Sequence, residues 1–436
     1  MFLQNAIAKR IDDNDPVKVA LIGAGKFGSM FLSQVPNTTG IEVLVIADLK
    51  PDNAIKACKN VGWSDDLINK TKFVDTGADA IKLNEVEVVI EATGFPAAGI
   101  EHARQAFQNG KHIIMVNVEA DVLAGAALAK EANSVGVVYS MAYGDQPALT
   151  AEIVEWARAS GFNVTSAGKG TRYQPIYHKS SPDTVWDYYG LTHEEAKKAG
   201  MNPKMFNSFL DGTKSGLEMA AIANACDLEV PTNGLLFPPC GMDDLANILK
   251  PLEFGGLLEK NGQVEVVSSL ERDGRPVFKD LRWGVYAVLE APNDYAASCF
   301  KQYGMNTDDT GKYSAMYKPF HLIGMELNIS VFSAALLNQA TGQTKKFTGD
   351  VVSTTKKNLK KSEILDGEGG ATVWGKLVPS KLSLSMEALP IGLAHGIKLK
   401  NEIEENKIIT WNDVDFSSND PAISYRRKME KDFKKS

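Results

Sequence analysis

An almost uninterrupted apolar run follows the polar opening of the chain. Val17–Ile22, VKVALI, is too short for a buried helix and stops at a glycine, so it predicts a strand covered on both faces. The pattern returns at Ile41–Asp48, Glu85–Ala92, Lys111–Asn117 and Val135–Ser140. Between these runs the apolar positions recur at helical spacing, as in Ala97–Asn109, closed by Gly110, and Ala120–Ser134. Strand and helix in regular alternation predict an α/β fold, a Rossmann-type doubly wound parallel sheet.

The joint after the first strand carries the chemistry. Gly23, Gly25 and Gly28 have the G-x-G-x-x-G spacing. The first glycine permits the tight turn, the second a close approach of pyrophosphate to the backbone, and the third tight packing of helix on sheet. Lys26 and Phe27 complete the loop, whose helix offers free N–H groups to phosphate. Asp48 ends the second strand about twenty residues further on, where a ribose-binding carboxylate is expected. That carboxylate favours NAD, whereas Lys50 could receive a 2′-phosphate, so NAD and NADP both stay open. Thr93 and Gly94 form the turn that faces the nicotinamide ribose in such folds, and Asn117 at the end of the next apolar run joins the cofactor set.

Past the helix opened by Pro147 the pattern changes. Phe162–Tyr189 contains short strand-like pieces broken by GKGTRYQPIYHKSSPD, which is too rich in Lys, Arg, His and Tyr to be core. Thr192 and Glu195 form a capping box, Gly212–Cys226 has helical apolar spacing, and Val264–Ser269 and Gly284–Glu290 read as strands. An apolar helix over 319–340 returns to the first domain. Lys356–Leu365 and Leu399–Ile409 resemble each other and suggest a small β module built from two such units. The expected division is a dinucleotide domain over 1–160, an α+β substrate domain over 161–347, and a module over 348–436.

Composition narrows the class. A chain of 436 residues is too long for one core, and 47 Lys and Arg against 54 Asp and Glu give a formal charge of −7, which argues against nucleic acid as a partner. The mixed-sign end, RRKMEKDFKKS, reads as a solvated tail. Four scattered cysteines form no CxxC pair, so neither a zinc site nor a disulfide scaffold is indicated. The opening residues lack the apolar core of a signal peptide and no run reaches membrane-spanning length, so a cytoplasmic location is expected.

Two clusters could serve hydride transfer, which needs a polarised carbonyl and a proton donor or acceptor. Lys169, Thr171, Arg172, Tyr173 and His178 lie in the GKGT segment, where the small residues around Lys169 suggest close packing against a ligand. Lys169 and Arg172 are its candidates for a substrate phosphate. Asp211, Lys214 and Glu218 fall one turn apart at a helix start, where Lys214 could polarise the carbonyl and Asp211 relay the proton; an ordinary i,i+3 ion pair is the plainer reading. Asp243 and Asp244 read as helix-capping residues and His102 as a surface histidine. His321 is expected near the cofactor cleft, and His395 is expected to order a turn.

The GDQP turn and GKGT strand resemble those of homoserine dehydrogenases. GKGTRYQPIYHKSSPDTVWDYYG, LDGTKSGLEMAAIANA, SSLERDGRPVFKDLRWGVYAV and ALPIGLAHGIKLKNEI extend the resemblance to the homoserine dehydrogenase-like proteins with a C-terminal SAF domain, a group that includes the deoxyxylulose phosphate reductoisomerase-like enzymes of isoprenoid synthesis. The resemblance implies a β-clip, SAF-like end module, a homodimer and an NAD(P)H-dependent oxidoreductase acting on a small hydroxy-carbonyl substrate such as 1-deoxy-D-xylulose 5-phosphate, with magnesium or manganese as a possible divalent metal. Homoserine dehydrogenases carry an asparagine–lysine pair where this chain reads Asn117, Val118 and Glu119, and valine cannot polarise a carbonyl. A homoserine-type, sugar-acid or polyol dehydrogenase is the alternative enzyme, and a cofactor-binding sensor without turnover the alternative of another class.

Overall fold

The computed structural model describes residues 3–434. Residues 1–2 and 435–436, over which the readings of the opening and of the tail partly run, lie outside the described residues. The chain divides into two compact units: everything up to Glu152 with His321–Lys345, and Ile153–Phe320 with the chain from Lys346 onward.

The first unit is built on six parallel strands: β1 (Val17–Ile22), β2 (Ile41–Ala47), β3 (Lys72–Val74), β4 (Val88–Glu91), β5 (His112–Met115) and β6 (Tyr139–Met141). Their order, β3-β2-β1-β4-β5-β6, is that of a Rossmann fold, with the topological switch between β1 and β4. The apolar runs are buried because helices cover both faces, and Val19, Leu21, Ile46, Val88, Ile90 and Ile114 have no exposed surface. A helix at Asn328–Leu337 packs on this core through Val331 and Phe332. It is shorter than the 319–340 the apolar pattern suggests, because Gly324 (φ +76) and Asn338 (φ 52) turn left-handed at its two sides.

The second unit holds a mixed sheet of β7 (Asn163–Thr171), β8 (Gln263–Ser268), β9 (Val285–Glu290) and β10 (Tyr313–Lys318), in the order β10-β9-β7-β8. Where the sequence suggested short broken pieces, β7 is one nine-residue strand. A Cβ at Gly168 or Gly170 would run into the backbone oxygen of Glu265 or Leu281. These glycines therefore serve backbone packing, and the expectation that they flank a ligand is corrected.

Across β7 and β8 lies the helix Thr213–Cys226, of which every residue but Lys214 is buried. Burial on all sides follows from β11 (Gly349–Thr355) and β13 (Val373–Pro379), an antiparallel pair packed on the same helix. Small residues permit it: a Cβ on Gly216 would lie 3.1 Å from the Gly375 carbonyl oxygen. A second small sheet, β12 (Ile364–Asp366), β14 (His395–Leu399) and β15 (Val414–Asp415), follows. The two similar segments pair with each other, Leu359 and Ile403 exchanging N–H···O bonds of 2.8 and 3.0 Å.

The tail is not a solvated end. Pro421–Lys434 is a helix whose Arg426 is fully buried, donating to Asp350 at 2.5 Å and Glu430 at 2.9 Å. Burying a guanidinium requires such partners, and Asp350 lies too far back in the chain for local charge pattern to reveal it.

Candidate active site

The candidate cofactor site belongs to the first unit. β1 ends at Gly23, whose φ of +97° suits glycine and whose Cβ would lie 2.7 Å from the Ala92 carbonyl oxygen. A Cβ on Gly28 would strike the Gly23 carbonyl oxygen, so the third glycine serves helix packing. At Gly25 a Cβ would meet nothing within 4 Å, and the helix Lys26–Gln34 begins there without a side-chain cap. Open space in front of uncapped N–H groups fits a dinucleotide pyrophosphate. Lys26 is exposed and Phe27 half-buried on the same turn. Asp48 stands at the end of β2, held by the N–H groups of Ala24 (3.2 Å) and Lys50 (3.0 Å), which leaves acceptor capacity for ribose hydroxyls.

At the switch point β4 ends in a fully buried carboxylate. Glu91 Oε1 accepts from the Thr93 hydroxyl, the Thr93 N–H at 3.3 Å and, at 3.2 Å, faces His102 Nδ1. Glu91 thereby fixes the exposed Thr93–Gly94 turn. His102 is corrected from a surface residue: only 14% of its side chain is exposed, and it packs so closely on Gly77 that a Cβ there would collide with its ring. Asn117 caps the helix Val118–Ser134, its Oδ1 accepting from Ala120 N–H at 3.0 Å and its Nδ2 donating to Phe95 O at 3.0 Å. It reaches the cofactor loop through that bond to Phe95.

The second unit carries the other candidates, and of these His178 lines a cavity of about 220 Å³, together with Gly212, Phe237, Trp374 and Lys376. Tyr173, two residues past β7, stacks on Phe237 with centroids 4.0 Å apart and rings 13° from parallel. Its hydroxyl lies 2.9 Å from His178 Nε2, and His178 Nδ1 lies 2.7 Å from the Asp211 carbonyl oxygen. A carbonyl only accepts, so Nδ1 carries the hydrogen and Nε2 accepts from Tyr173. Burial holds His178 below its usual range, the Asp211 contacts opposing it and the Lys356 and Lys376 charges adding to it. Burial likewise raises the Tyr173 phenol.

Asp211 is fully buried and its carboxylate is committed. Oδ1 accepts from Thr213 N–H at 2.9 Å and Oδ2 from Lys356 Nζ at 2.7 Å, while the same ammonium donates to Ser180 O and Gly370 O, each at 2.7 Å. Lys169, on β7, pairs with Glu218 on the long helix, both buried. Lys214 is the half-buried residue of that helix's first turn. Arg172 carries a buried Nε without a hydrogen-bond partner among the described residues.

Asp243 does not cap: it pairs with Lys279 and Asn306 at 2.8 and 2.9 Å, and Asp244 makes no side-chain cap bond. His395 bonds Asp366 O at 3.0 Å and packs on Gly367, ordering that turn. Lys356, Trp374 and Lys376 escaped the sequence reading because they come from a segment far along the chain.

Residues 144–327 match the family model of the catalytic domain of the oxidoreductase DRL. No curated protein matches the chain. Among solved structures, KijD10, a 3-ketoreductase from Actinomadura kijaniata in complex with TDP-benzene and NADP, is 15% identical over 37% of this chain and 49% of its own, with a TM-score of 0.26. The chain thus spans about half of that protein. A homoserine dehydrogenase from Thiobacillus denitrificans is 15% identical over 78% and 83%, with a TM-score of 0.43. The myo-inositol dehydrogenase from Lactobacillus casei, in complex with NAD(H) and myo-inositol, is 15% identical over 63% and 71%, with a TM-score of 0.36. Among the described residues no helix is long and apolar enough to cross a membrane.

Proposed function

We propose that this NAD(P)-dependent oxidoreductase reduces a small hydroxy-carbonyl compound, and that the compound is 1-deoxy-D-xylulose 5-phosphate, rearranged and reduced to 2-C-methyl-D-erythritol 4-phosphate. The observation that carries the reading is the match of 144–327 to an oxidoreductase catalytic domain, because that span includes Lys169, Arg172, Tyr173, His178, Asp211, Lys214 and Glu218.

A bound nicotinamide supplies the hydride. The chain's own residues manage charge and protons. Lys214 polarises the carbonyl oxygen. Tyr173 Oη donates to His178 Nε2, so as Tyr173 takes a proton from a substrate hydroxyl its own passes to Nε2, and the reverse transfer returns a proton to an alkoxide. Asp211 is a positioning residue in this scheme: Lys356 fixes its carboxylate and its carbonyl fixes His178. Lys169 is balanced by Glu218, which leaves Arg172 as the cation of that strand open to a substrate oxygen. We also read residues 348–436 as an SAF-like module and the protein as a homodimer; a monomeric mass in solution would remove the dimer.

The test follows NADPH and NADH oxidation with magnesium or manganese, offering deoxyxylulose 5-phosphate and aspartate semialdehyde separately. Oxidation with the sugar phosphate alone supports the reading and names the cofactor. Oxidation with the semialdehyde alone would replace it by the homoserine type. Lys214→Ala should lower kcat about 100-fold, as loss of one electrostatic stabiliser does, and unchanged turnover would end that assignment.

A further inference from the structure

We propose that the cavity beside His178 contains an anion-binding subsite made by Lys376 on β13, which holds the phosphate group of a small phosphorylated metabolite. The proposal rests on the reading of this cavity as the substrate site.

Charge singles out Lys376. The second unit's buried lysines are spoken for: Lys169 by Glu218, Lys250 by Asp308 and Lys356 by Asp211. Lys376, half-buried on the cavity wall, makes no ion pair and no side-chain hydrogen bond among the described residues. Among the described residues no carboxylate lines the cavity, and its other titratable residue, His178, is held below its usual range by burial, with the lysine charges adding to it. A half-desolvated ammonium without a counter-charge is the arrangement that an arriving anion completes.

The surrounding shape fits the same ligand. Gly234 lies beneath the lysine stem, where a Cβ would come within 3.0 Å of Lys376 Cε, so a glycine there leaves the stem its place across the wall. Gly212, Gly216 and Gly375 also line the cavity. Trp374, whose ring centroid is 4.0 Å from that of His178, adds apolar surface to the cavity lining. The volume of about 220 Å³ is below that of drug-sized sites, which begin at roughly 300 Å³, and suits one small metabolite. This gives the C-terminal segment a part in substrate recognition, since Trp374 and Lys376 both come from β13.

The probe is inorganic phosphate, titrated into the full-length protein at constant ionic strength and followed by tryptophan fluorescence. Trp374→Phe identifies the reporting residue, and acetate tests a carboxylate in place of phosphate. The expected result is a saturable response in the wild type that weakens about tenfold or more in Lys376→Ala and in Lys376→Gln, as for loss of one charge-assisted bond, with thermal unfolding unchanged. Lys376→Arg should retain it. Equal phosphate affinity in wild type and both neutral variants, or no saturable response in the wild type, overturns the subsite. A response to acetate as strong as that to phosphate overturns the choice of phosphate. Phosphate binding without turnover would contradict the reductase reading while leaving the subsite, and turnover without phosphate binding would do the reverse.

Discussion

Lys356→Met removes the charge at the centre of a buried network in the second unit. The lysine side chain is 2% exposed and Asp211 0%, and all three ammonium hydrogens are spent at 2.7 Å on Asp211 Oδ2, Ser180 O and Gly370 O. Methionine keeps most of the stem's apolar packing, so the cost is electrostatic. Leaving a buried carboxylate without its cation costs about 3–5 kcal/mol. The bond from Thr213 N–H to Oδ1 survives and places the net loss at about 4 kcal/mol. Urea unfolding reads it as a lower midpoint at constant slope. Asp211→Asn in the same background removes the stranded charge, so the double variant should recover about 2 kcal/mol relative to the sum of the single losses. A loss below about 1 kcal/mol for Lys356→Met, or additive effects in the double variant, would refute the reasoning.

Gly25→Ala should leave stability within about 0.5 kcal/mol, because its Cβ meets nothing, yet weaken NAD(P)H binding measured by cofactor fluorescence; Gly28→Ala, whose Cβ strikes the Gly23 carbonyl, should damage both. Arg426→Met strands Asp350 and Glu430 in the interior and should cost about 3–5 kcal/mol in urea unfolding; an unchanged midpoint would contradict the anchoring of the last helix. Burial pushes the Glu265 carboxyl up to about 7, against the N–H groups of Val266, Leu236 and Phe237 that favour its charged form. Since the folded value lies above the ordinary 4.5, its contribution to stability is complete below pH 4.5 and is lost as pH rises through about 7. The wild-type stability relative to Glu265→Gln should therefore fall across that window, and parallel pH profiles would exclude it.

What could be read from the sequence was local. The Rossmann strands announce themselves because each is buried on both faces, and the glycine spacing follows from a turn and a helix contact within a few residues. The joint of Gly23, Gly25, Gly28 and Asp48 was legible for that reason. Contacts across long separations were not. The bond between Lys356 and Asp211 spans 145 residues, and nothing in KKNLKKSEIL marks one lysine for burial. Arg426 meets Asp350 across 76 residues, so a buried anchor looked like a solvated charge. Gly168 and Gly170 flank Lys169, but sequence does not tell whether a missing side chain makes room for a ligand or for a neighbouring strand. His102 poses the same difficulty, for its partner Glu91 ends the strand that precedes its helix and faces it only once the two have packed.

Hydride transfer is the central claim, and isotope transfer measures it most directly. The protein is incubated with deoxyxylulose 5-phosphate and NADPH or NADH carrying deuterium at either face of nicotinamide C4, and the product is weighed by mass spectrometry. One deuterium delivered from one face of one cofactor, and none from the other face, is the predicted result. A bound cofactor whose deuterium never reaches a product, with either label, would contradict the account.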